Sequence, residues 1–134
     1  MDNHKHVLII INEFKEPQVK GVKSILDTFR EQGAQLSLMF AIPQIPAYYY
    51  QIPSMELMRA YLIQDAEKCL QKAGNILGIP SEHQWVEMGS FKTLITQAAH
   101  RVGADFTLLI GNGNRKTTHP LPETGYLFPA SEAA

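Results

Sequence analysis

The chain has 134 residues, 45% hydrophobic and 19% charged, with 12 Lys+Arg against 13 Asp+Glu for a formal net charge of -1. That length gives one domain with a core that needs no staples, and the balanced charge excludes bulk attraction to nucleic acid or to an anionic membrane. The single cysteine, Cys69, excludes an internal disulfide and fits a reducing compartment.

The first element is "HVLIII", His6 to Ile11, a short continuous apolar run rich in β-branched residues. Such runs are strands covered on both faces, as in a parallel sheet. "EPQVKGVKSILDTFREQG" comes next, with Val19, Val22, Ile25, Leu26 and Phe29 at helical spacing. Pro17 suits the first helical turn and Gly33 the stop beyond the last. "AQLSLMFAI" is a second strand ending near Ile42. Prolines then make Pro43 to Pro53 a loop, an unusually apolar one. Ser54 offers an N-cap for a long helix whose stripe is Met55, Met58, Tyr61, Leu62, Ala66, Cys69, Leu70, Ala73 and Leu77, ended by Gly78 and Pro80. "HQWVEM", His83 to Met88, is a third strand. Gly89 turns the chain, and Ser90 caps a helix carrying Phe91, Leu94, Ile95, Ala98 and Val102 to a stop at Gly103. "DFTLLI", Asp105 to Ile110, is a fourth strand.

The order β, α, β, loop, α, β, α, β predicts an α/β fold: one doubly wound, Rossmann-like (HUP-type) parallel sheet with helices on both faces. Ligands of such sheets sit beyond the carboxyl ends of the strands, where strand order reverses. Those ends are Asn12, Ala41 to Ile42, Met88 to Ser90, and Gly111 to Arg115. The N-terminal apolar run is too short for a signal peptide and no stretch reaches the ~20 residues of a membrane span. A single cytoplasmic domain over 1–134 is therefore expected.

The run of pieces "VLIIIN", "REQGAQLSLMFAI", "AGNILGIP" and "GSFKTLITQAAHRVGADFTLLIG" resembles the universal stress protein family across Lys5 to about Arg115. The resemblance implies a small cytoplasmic α/β protein, usually a dimer, made under stress or growth arrest, from a family with one branch that binds ATP and another that does not. In the ATP-binding branch the first strand ends in Asp beside the nucleotide. Here Asn12 stands there, trailed by bulky "EFKEP" in place of small residues. Asn can hydrogen-bond a ribose or ring nitrogen but lacks the charge to hold a phosphate-bridging cation. The branch's phosphate signature is Gly, two residues, Gly, nine residues, Gly, then Ser or Thr. Gly111 fits its first position, the second falls on Asn114 with Gly113 one place early, and the closing pair reads Thr124-Gly125. Glycines are needed there so that backbone N–H groups can approach phosphate oxygens. "GNGNRK" is thus either a ligand-free turn or a partial anion nest completed by Arg115.

The family continues with a helix and a fifth strand that often pairs across the dimer. Here Pro120, Pro122 and Gly125 forbid a useful helix, so residues 116–134 are expected to form an irregular tail. The sheet would then have four main strands and at most a short fifth at Tyr126 to Phe128, stopped by Pro129.

Other features favour ordinary readings. "LPETG", Leu121 to Gly125, spells the sortase pentapeptide without the apolar tail that wall anchoring needs, and reads as coincidence. Tyr48 to Tyr50, with Ile45 and Ile52, read as packing or an oligomer contact rather than a base-stacking site. His4 and His6 with Lys5 make a poor metal site, with His83, His100 and His119 in other elements. Cys69 reads as an inert core thiol. No nucleophile–base arrangement has a recognisable spacing, so neither catalysis nor a resident metal is expected. The sequence supports a non-catalytic stress-response or regulatory module acting by binding and self-association as a homodimer. The alternative is an adenine-nucleotide (ATP or AMP) binder using Asn12, Ala41, Gly89, Gly111, Gly113, Asn114 and Arg115.

Overall fold

In the computed structural model, backbone and side chains are described for residues 5–45 and 51–110, and backbone for 119–120 and 125–129. The elements are β1 (His6–Ile11), α1 (Glu16–Glu31), β2 (Gln35–Pro43), α2 (Met55–Leu77), a 3-10 turn (Ser81–His83), β3 (Gln84–Gly89), α3 (Phe91–Val102), β4 (Phe106–Ile110), β5 (His119–Pro120) and β6 (Gly125–Pro129). The sheet order is β3-β2-β1-β4-β6-β5. The first four strands are mutually parallel, as the alternating elements predict.

β1 sits in the middle because it has no polar face to offer. Val7, Leu8, Ile9, Ile10 and Ile11 all have zero exposure. Odd-numbered residues of β1 join the cluster formed with Val19, Val22 and Leu26 of α1 and Ala66, Leu70, Ala73 and Leu77 of α2. Even-numbered ones join Leu94, Ile95, Ala98 and Ala99 of α3 on the other face. Burying each such side chain stabilises by about 1.5–3 kcal/mol relative to exposure. Helix ends fall where the glycines stand: Gly78 (φ 71) and Gly103 (φ 65) close α2 and α3 in the left-handed region. Ser54 and Ser90 occupy the N-cap positions, but neither hydroxyl makes a capping bond.

Two expectations change. The predicted stripe of α2 is core only in its second half; Met58 and Tyr61 are 50% and 62% exposed, and Leu57 76%. The reason is length. A helix of 23 residues runs about 34 Å, whereas the six residues of β3 span about 20 Å. The buried stretch Ala66–Leu77 matches the strand, and the first turns overhang the carboxyl rim. Second, the tail is not wholly irregular. β6 pairs antiparallel with β4 over five positions, from Phe106↔Pro129 to Ile110↔Gly125, and the two-residue β5 pairs with β6. The strand expected at Tyr126–Phe128 extends by one residue on each side because β4 offers a free edge of matching length.

Ile9→Ala, in the centre of β1, should lower unfolding free energy by about 2–5 kcal/mol, whereas Gln97→Ala on the exposed face of α3 should stay within about 0.5 kcal/mol. Urea denaturation of the two variants tests this directly.

Candidate functional site

Strand order reverses at β1, with β2 on one side and β4 on the other. Ile11 aligns with both Phe40 and Ile110, so the chain leaves β1 and β4 at one level on the same rim. Asn12 stands at that level and is half-buried. The remaining predicted residues on this rim divide sharply. Ala41 is 1% exposed and packs with Leu8, Ile10, Met39 and the α3 leucine Leu94, so its side chain faces the core. Gly89 ends β3 opposite Pro43, and its carbonyl accepts the Gln44 N–H at 3.1 Å. A Cβ on Gly89 would come within 3.3 Å of Leu94, so close helix approach already accounts for a glycine there. Gly111, Gly113, Asn114 and Arg115 lie outside the described residues, as do Tyr48–Tyr50, His4 and Leu121–Thr124.

The residues just after Asn12 shape the rim. Phe14 folds back onto the α1/α2 core cluster, with the Lys72 ammonium 5.9 Å from its ring centroid. Lys15 pairs with Glu13 at 2.9 Å. α1 then begins with Glu16 in its first turn and Pro17 at its first positions. A helix N-terminus attracts anions through free N–H groups and the helix dipole. Here proline removes one donor, and the Glu16 carboxylate already occupies the favourable field. The bulk and charge of "EFKEP" thus leave little for a phosphate to bind on this side of the crevice.

Cys69 is half-buried against the core cluster rather than within it. Burial, with the Asp65 carboxylate behind it, pushes its thiol above the ordinary range, which suits a poorly reactive cysteine. Among the described residues, no three His, Cys, Asp or Glu side chains converge as metal ligands would, and no helix is long and apolar enough to cross a membrane.

Two cavities lined by described residues lie away from the rim. One, of about 840 Å³, is an open groove between α2 and β3, bounded by Ile63, Leu70, Trp85 and Val86. The other, of about 300 Å³, opens at the amino-terminal edge of the sheet and is lined by His6, Arg30, Gln35, Ser37, Gly78 and His83, among others. Sequence reading missed this second cluster, because its members come from four separate elements. The signals available were Ser37, a polar residue inside an apolar strand, and a histidine opening β1. Within it, His6 Nε2 lies 2.7 Å from Ser37 Oγ, and the His6 backbone N–H donates to Asp105 Oδ2 at 2.9 Å. Burial holds the His6 imidazole below its ordinary value; Asp105 pulls against this and His83 adds to it. The folded state therefore binds fewer protons at His6 than the unfolded chain, so its contribution to stability falls as pH drops through the ordinary value of 6.5. His6→Gln should flatten that part of the pH dependence, measured as urea midpoints between about pH 7.5 and about pH 5.5.

The comparisons with known proteins agree with this architecture without fixing a family. Over 115 residues, 84% of this chain and 79% of the other, the protein is 26% identical to universal stress protein A homolog 2 of Coxiella burnetii. No family model matches.

Proposed function

We propose that the protein is a cytoplasmic, non-catalytic regulatory module of the universal stress protein type, acting through binding and self-association. The distant likeness to the Coxiella protein and the 3-2-1-4 parallel order of the first four strands support the type. The observation that carries the non-catalytic reading is the furnishing of the crevice. Glu13, Phe14, Glu16 and Pro17 follow the end of β1, where the ATP-binding branch of the resembled family has small residues. The overhang of α2 supports self-association. Leu57 and Met58 are exposed there, four and three residues before the exposed Tyr61, with Ile52 exposed just before the helix, and exposed apolar side chains grouped on a small domain mark an interaction surface.

Sedimentation velocity should show a dimer, and Leu57→Glu combined with Tyr61→Glu should convert it to a monomer with unchanged circular dichroism. A monomeric wild-type protein, or a dimer indifferent to both charges, rejects self-association through this face. ATP turnover by the pure protein, abolished by Gly111→Ala or Gly113→Ala, rejects the non-catalytic reading.

A second reading, an adenine-nucleotide binder, rests on the level exit of β1 and β4 at Ile11 and Ile110, which places Asn12 at the switch point. Asn12, the backbone at Ala41 and Gly89, and Gly111, Gly113, Asn114 and Arg115 would line that site. Millimolar ATP or AMP would then raise the melting temperature by a few degrees, because a ligand bound only by the native state stabilises it. The first reading expects no shift with either nucleotide, with or without Mg²⁺.

A further inference from the structure

We propose that the cavity at the amino-terminal edge of the sheet is a binding site for a small phosphoryl anion, held by His6, His83 and Arg30 and taken up together with a proton. The site is separate from the carboxyl-rim crevice, at the opposite ends of the same strands.

The cavity has a built polar wall. Ser37 is 4% exposed, and its hydroxyl is fixed on His6 Nε2 at 2.7 Å. Arg30 is anchored from α1. Its Nη2 donates to the Leu77 carbonyl at 2.5 Å, and its Nη1 donates to Asp27 at 2.9 Å. A guanidinium carries five N–H donors in a planar fork, so one held by two of them presents its remaining edge without further ordering. Gly78, left-handed at φ 71, ends α2 beside the guanidinium. His83, at the end of the 3-10 turn, lines the same space. A volume of about 300 Å³ accommodates one phosphoryl group and a small organic remainder.

The charges facing His6 come from each neighbouring element. They are His83 from the 3-10 turn, Arg30 from α1 with Asp27 behind it, and Asp105 at the start of β4. Asp27 is turned to Arg30 and Asp105 to the His6 backbone, which leaves two imidazoles and a guanidinium bordering the cavity. Without an anion, burial outweighs the Asp105 carboxylate and disfavours the imidazolium at His6, with a smaller push the same way from His83. A phosphoryl dianion between the rings reverses that balance: each proton gained improves the binding, and by linkage each bound anion raises the affinity for protons. Phosphate is favoured over carboxylate because three donors approaching from different elements suit a tetrahedral oxyanion, and because its second ionisation lies near that of histidine.

The test is a titration of the full chain with inorganic phosphate, tracked through the histidine ring resonances at about pH 6 and about pH 8. Expected are saturable, concerted shifts of His6 and His83 at the lower pH, weaker binding at the higher, and no shift at His100, which is exposed on α3. His83→Gln, on an exposed turn, should weaken phosphate at least about tenfold, the loss of one charge-assisted hydrogen bond. Acetate at equal concentration should bind less well than phosphate. Unsaturable shifts, shifts shared equally with His100, His83→Gln binding as tightly as the wild type, or acetate outcompeting phosphate would each overturn the proposal.

Discussion

The structure depends on β1 being apolar on both faces at once. Five consecutive residues, Val7 to Ile11, lose all contact with water. No arrangement with a helix layer on one side alone would cover them. The sheet must therefore take α1 and α2 on one face and α3 on the other, and β2 and β4 must flank β1 in parallel. Once that is fixed, the switch point falls between β1 and β4, and the two rims of the sheet acquire different characters. The carboxyl rim receives the loops and the overhanging start of α2. The amino-terminal edge receives the helix C-termini and the chain's entries into the strands.

Much of this was readable from the sequence because hydrophobic period and glycine placement are local signals. "HVLIII" and "DFTLLI" could be little other than buried strands, and Gly33, Gly78 and Gly103 sit at positive φ where the helices stop. What could not be read is what depends on relative lengths and on distant partners. The α2 stripe looks uniform from Met55 to Leu77, and only the span of the neighbouring strands decides which half is covered. Likewise β6 exists because β4 has an unpaired edge of equal length, a fact that the composition of Gly125–Pro129 does not contain. Of the candidate crevice, the positions of Asn12 and Gly89 could be placed from strand ends. That Ala41 turns inward, and that Phe14 closes back on the core, depends on which face each side chain takes.

The amino-terminal cluster was unreadable for the same reason. His6, Arg30, Ser37 and His83 are brought together by the β1–β2 register and by the crossing of α1 over the end of α2, through the Arg30–Leu77 bond. Polar residues at strand entries are usually dismissed as solvated ends. Here Ser37 is almost wholly buried, so its hydroxyl needs the partner that His6 supplies.

The outermost strand on the β6 side has a consequence for assembly. β5 is two residues long, and one of them is Pro120, which has no amide hydrogen to give. An incoming strand would find scarcely any ladder to join. Among the described strands, β5 thus offers little ladder on the flank where the resembled family joins its subunits, and β3, at the far end of the order, presents the longer border along which another backbone could zip.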